Sequence, residues 1–143
     1  MRNEYISHSP ADTESIAEKL AKTLEGGEVI AFRGGLGMGK TCFVRGLARG
    51  LGFGGYVNSP TFALVNEYRG GRLDLFHFDM YRVSGWEDLY STGYFDYLTY
   101  GGVVAVEWSE NTESALDEKT IIVEFKQIGK NDRKITITGG EKL

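Results

Sequence analysis

Gly34 to Thr41, read as Gly-Gly-Leu-Gly-Met-Gly-Lys-Thr, satisfies G-x-x-x-x-G-K-[ST], a spacing suited to holding a phosphate. Phosphate oxygens need several donors at close range. Glycines let consecutive backbone N–H groups turn inward as a nest, and a helix opening at the lysine adds its own N-terminal N–H groups. In this reading Gly35, Leu36, Gly37, Met38, Gly39, Lys40, Thr41 and Cys42 line the phosphates. Lys40 brings a point charge to the outer phosphates, and the Thr41 hydroxyl is placed to ligate Mg²⁺. Twenty glycines in 143 residues raise the chance of an accidental match, the alternative being a glycine-rich turn that opens a helix.

The elements around this stretch favour the phosphate. Val29-Ile30-Ala31-Phe32 is an apolar run of strand type, and Phe43, Val44, Leu47 and Leu51 recur at helical spacing, predicting a helix to about Leu51. Strand, glycine loop and helix are the context the motif demands.

Hydrolysis needs more than a cradle: a carboxylate for the metal, a group that orients water and a sensor of the terminal phosphate. Asp79 ends the predicted strand Leu73–Met80, and Glu107 follows the apolar run Val103–Val106. Both stand at strand ends, where ligands of α/β sheets gather. Either can face the metal, directly or through water; a solvated strand-end carboxylate is the plainer alternative. Thr61 suits a switch threonine contacting Mg²⁺ or the terminal phosphate, and equally a hydrogen bond within its own turn beside Pro60. His77 alternates in register with Asp79, but a lone strand histidine is usually structural.

Seen along the chain, Glu4–Ser7 suits an edge strand. Ser9, Pro10 and Asp12 open a helix whose stripe is Ile16, Leu20 and Leu24, and Gly26-Gly27 ends it. Strands Phe62–Tyr68 and Leu73–Met80 flank a turn at Arg69-Gly70-Gly71-Arg72, giving an antiparallel hairpin and hence a mixed sheet. Ser84-Gly85-Trp86-Glu87 opens a helix that breaks near Gly93, and a short helix covers Glu113–Leu116. Thr120–Ile128 and Lys134–Thr138 form a closing hairpin. The fold class is α/β: one phosphate-loop NTPase domain over residues 1–143, its mixed parallel and antiparallel sheet flanked by helices.

Composition narrows the function. Sixteen basic against 20 acidic residues leave a net charge of −4, which argues against gripping nucleic acid by a broad basic face. One cysteine, Cys42, excludes an internal disulfide, and its expected role is buried and inert. No leader-like or 18-residue apolar run is present, so a cytoplasmic location without membrane contact is expected. No N-K-x-D guanine-reading motif is found; Lys130-Asn131-Asp132 has the letters in the wrong order.

Several motifs then converge in order: Gly34–Thr41, Ser59-Pro60-Thr61-Phe62, His77-Phe78-Asp79-Met80-Tyr81-Arg82 and Glu107-Trp108-Ser109-Glu110. Together they resemble the TsaE (formerly YjeE) family, the bacterial ATPase of tRNA threonylcarbamoyladenosine biosynthesis. The resemblance implies ATP and Mg²⁺ as cofactors, slow hydrolysis, and TsaB and TsaD as partners, with tRNA reached indirectly through the complex. It implies Lys40 and Thr41 on phosphate and metal, Thr61 in a switch-like loop, Asp79 and Glu107 near the metal, and Trp108 beside the ATP. Gly35 stands where the family commonly has Asp, and Met38 where it commonly has Ala; neither change removes a backbone donor. A small-molecule kinase and a nucleotide-dependent binding module with negligible turnover are the competing readings. In the switch picture Gly34–Thr41 is the fixed half and residues 53–61 the moving half.

Overall fold

Two stretches, Val29–Phe32 and Val103–Val106, are apolar at every position, and a strand without a polar face must be covered on both sides. In the computed structural model they are the neighbouring central strands of one sheet. Residues 2–34, 39–55, 65–79, 93–107 and 119–139 are described. Among them the elements run β1 (Arg2–Ser7), α1 (Pro10–Ala21), β2 (Val29–Arg33), α2 (Lys40–Gly50), β3 (Val65–Tyr68) and β4 (Leu75–Asp79). Then come α3 (Tyr94–Tyr97), β5 (Val103–Glu107), β6 (Ile121–Gln127) and β7 (Arg133–Thr138). The helices expected from Ser84 and over Glu113–Leu116, and the start of the strand expected at Phe62, lie outside the described residues.

The strands order as β1-β7-β6-β2-β5-β4-β3. β2 runs parallel to β5 and β6, and β5 parallel to β4. Antiparallel partners close both flanks: β3 on β4, β7 on β6 and β1 on β7. The expected mixed sheet is therefore present, with the hairpin turn at Arg69–Arg72 joining β3 to β4.

Period-two alternation divides the buried side chains between the faces. Ile30, Phe32, Leu75, Val103, Ala105, Ile121, Val123, Phe125, Ile135 and Ile137 point to the face covered by α1 and α2. Phe76, Phe78, Val104 and Val106 point to the other face, where Tyr94 and the one-turn helix α3 pack on them. On that second face Phe76, Phe78, Tyr94 and Tyr97 meet edge to face at 4.9–5.5 Å between ring centres. The aromatic run after Gly93 is thus packing, as its residue types suggest. The Tyr97 hydroxyl also donates to Glu67 at 2.7 Å, tying α3 to the edge strand β3. That bond holds the Glu67 carboxyl below its ordinary range and pushes Tyr97 up to about 12.

α1 starts as its sequence requires. The Ser9 hydroxyl accepts from the Asp12 N–H at 3.1 Å and Pro10 occupies the first turn. The Asp12 carboxylate reaches back to the His8 N–H at 2.9 Å, one residue earlier than a standard capping box. The buried stripe is Ala17, Leu20, Ala21 and Leu24, with Ile16 half-buried at its margin. The small residues matter, because α2 presents Gly46 and Gly50 to them. A Cβ at Gly46 would fall 2.7 Å from Ala17 Cβ and 2.8 Å from Glu14 Cα, so the helices cross nearly backbone to backbone. Salt bridges run along the edge of the crossing, Glu14 to Arg49 at 3.0 Å and to Arg45 at 3.6 Å.

Candidate phosphate and metal site

β2 ends at Arg33, Gly34 turns with φ +138°, and α2 begins at Lys40 after Gly39, which caps the helix with φ +98°. Only glycine holds such angles without strain, and a Cβ at Gly34 would lie 3.0 Å from the Phe125 carbonyl oxygen. The two flanks of the loop are clamped by three rings. Phe32 before it, Phe43 after it and Phe125 from β6 pack at 5.6, 5.8 and 6.1 Å between centres. Each such pair contributes about 0.5–1.5 kcal/mol beyond simple burial.

The start of α2 differs from that of α1. It has no side-chain cap and no acidic residue in its first turn. The positive end of the helix dipole is left without a carboxylate of its own, as an anion site requires. Lys40, only 5% exposed, is the first residue of this helix. A cation held there lends its charge to an anion at much lower effective dielectric than water provides.

Register then brings in the acids. Asp79 pairs with Glu107 across β4 and β5, and Glu107 pairs with Phe32 across β5 and β2. The row Asp79, Glu107, Phe32 lies at the carboxyl ends of three parallel strands, and β2, which holds Phe32, leads into Gly34. This is where ligands of open α/β sheets bind. The Glu107 side chain is 15% exposed, and one oxygen lies 3.0 Å from His77 Nε2.

The expected residues divide clearly. Gly39, Lys40, Thr41 and Cys42 stand at the N-terminus of α2, and Asp79 and Glu107 end adjacent strands. Cys42 is half-buried rather than fully buried, with an Arg45 guanidinium nitrogen 3.8 Å from its sulfur. Gly35, Leu36, Gly37, Met38, Thr61 and Trp108 lie outside the described residues, as do residues 56–61 of the expected moving half. Among the described residues, no three His, Cys, Asp or Glu side chains are placed to hold a metal by themselves. Mg²⁺ in a nucleotide site uses one or two carboxylates together with phosphate oxygens and waters. The Glu107 carboxylate and the Thr41 hydroxyl are of the chemical type that such a site takes. His77 was the residue that its type concealed. Its contact with Glu107 depends on the alignment of β4 with β5, and the only trace in the sequence is His77-x-Asp79 opposite Ala105-x-Glu107.

Fold and site together define a P-loop α/β protein with acidic residues at the ends of the strands beside the loop. The family model "Threonylcarbamoyl adenosine biosynthesis protein TsaE" matches residues 7–135, and the chain belongs to the TsaE family. It is 39% identical to the tRNA threonylcarbamoyladenosine biosynthesis protein TsaE of Treponema pallidum, over 92% of this chain and 97% of that protein. The protein of the same description from Aquifex aeolicus is 41% identical, over 94% of each chain. A crystal structure of Bacillus subtilis YdiB superposes with a TM-score of 0.80 at 32% identity, covering 97% of this chain and 86% of that one. No described helix is long and apolar enough to cross a membrane.

Proposed function

We propose that this chain is a Mg²⁺-dependent, slowly hydrolysing ATPase subunit required for N6-threonylcarbamoyladenosine modification of tRNA. It acts in the cytoplasm with the TsaB–TsaD threonylcarbamoyl-transfer proteins. The observation that carries the reading is buried Lys40 at the start of α2, a helix with no side-chain cap that follows β2, whose sheet neighbours β5 and β4 end in Glu107 and Asp79.

The residues divide the work by chemistry. Gly35 to Cys42 supply backbone donors to the phosphates, and Lys40 neutralises the outer ones. Thr41 and the carboxylates of Asp79 and Glu107 hold Mg²⁺, which when bound offsets the charge that builds on the transferring phosphoryl group. Thr61 is assigned to the same set, and Trp108 to contact with ATP, on the resemblance to the family. Since the chain carries net negative charge, tRNA is held by the partners while this chain runs the nucleotide cycle.

The test is the ATP hydrolysis rate of the chain alone and with purified TsaB and TsaD, alongside a pull-down of the three. Slow turnover that rises with the partners is expected. No complex and no stimulation would count against the partner assignment. Transfer of the terminal phosphate to an added acceptor, seen by phosphorus NMR, would favour a kinase.

A further inference from the structure

We propose that His77 is a positioning residue for Glu107: its imidazole Nε2, 3.0 Å from Glu107 Oε2, carries a proton that sets the carboxylate's orientation toward Mg²⁺. The role rests on the nucleotide-site reading above.

His77 is wholly buried in the middle of β4, on the sheet face that α1 and α2 cover with aliphatic and aromatic side chains. An aliphatic residue would satisfy that position better, because a buried imidazole must find partners for two nitrogens or lose their hydration. Neither nitrogen makes an aligned hydrogen bond among the described residues. Among the described residues, the Glu107 carboxylate approaches Nε2 to 3.0 Å, close in distance but without hydrogen-bond alignment. Hydrogen bonds of this kind in ligand-free sites are often misaligned and tighten once the substrate is bound.

The register explains why the two groups meet. His77 pairs directly with Ala105, and Asp79 with Glu107, so Glu107 is the diagonal neighbour of His77. Ala105 is too small to stand between them. The tautomer follows from electrostatics. With the proton on Nδ1, the Nε2 lone pair would face the carboxylate oxygens and a donor would be buried unpaired. With the proton on Nε2, a donor faces the acceptor and only a bare lone pair is left at Nδ1, the less costly arrangement. Residues that orient a metal-binding carboxylate in this way typically change metal affinity or activity when removed.

The experiment compares full-length wild type with His77→Leu, His77→Gln, Glu107→Gln and the His77→Leu/Glu107→Gln double variant. Binding of a fluorescent ATP analogue is titrated against Mg²⁺, and thermal melting checks folding. In His77→Leu the Mg²⁺ needed for half-maximal binding should rise roughly 10- to 100-fold, with Mg²⁺-free nucleotide affinity unchanged. His77→Gln, whose side-chain amide nitrogen can take the place of Nε2, should restore the wild-type requirement. The double variant should be no worse than Glu107→Gln.

Histidine-selective ¹⁵N NMR of the wild type, free of nucleotide, should show a proton on His77 Nε2. A proton on Nδ1 alone would overturn the proposal whatever the variants do. Unchanged Mg²⁺ requirement in a folded His77→Leu would overturn the role of His77 and leave the nucleotide site standing. Failure of wild type to bind ATP at all would overturn both.

Discussion

At the scale of single residues, the roles proposed for Lys40 and Glu107 separate binding from turnover. Lys40 is buried at the head of α2, where its charge would act on a bound anion with little screening. Lys40→Ala should therefore abolish nucleotide binding while leaving the melting temperature close to wild type, read by analogue titration and thermal melting. Glu107 stands one strand away, at the end of β5 and partly open to solvent. Glu107→Ala should keep most ATP binding and lose Mg²⁺-dependent hydrolysis by roughly 10²-fold or more, the usual cost of removing a preorganised charge from a transition state. Equal turnover by wild type and Glu107→Ala would sink that assignment.

The contact of α1 with α2 sets the direction of the helix that carries Lys40. Gly46→Ala tests it with two opposing effects. Alanine gains up to about 1 kcal/mol in helix propensity over glycine. Overpacking costs about 1–3 kcal/mol, and here the new Cβ meets the backbone of Glu14, which cannot step aside as a side-chain tip could. The steric term wins, and the melting temperature should fall by several degrees. A rise would show that the helices separate freely and that the close crossing does not hold α2 in place.

For the whole molecule, the aromatic clamp of Phe32, Phe43 and Phe125 joins the first strand of the site, its helix and the neighbouring strand β6 into one unit. Phe43 is fully buried at its centre. Phe43→Ala should cost about 3–5 kcal/mol, enough to lower the melting temperature by roughly 10 °C in a chain of this length. The measurement is a thermal melt with and without saturating nucleotide. If the clamp holds the loop in its binding shape, nucleotide should raise the melting temperature less in the variant than in wild type. An equal rise would separate global stability from the shape of the site.

Local rules made much of this protein legible from its residues. The apolar strands Val29–Phe32 and Val103–Val106, the helix that follows Gly39, the Ser9–Pro10 helix start and both hairpins depend on neighbours within a few positions, where propensity and periodicity act. The mixed sheet followed from them, since a hairpin after the phosphate-loop helix must add antiparallel strands. Only the tertiary structure decided which acids stand together and what supports them. Asp79, Glu107 and Phe32 share a row because β4, β5 and β2 align in one register, and a slip of one residue would turn Glu107 to the opposite face. The contact of His77 with Glu107 arises from the same alignment. Its two residues are far apart in the chain, and no spacing rule links them. Pairing of distant strands is settled by packing of the whole core, which no local pattern records.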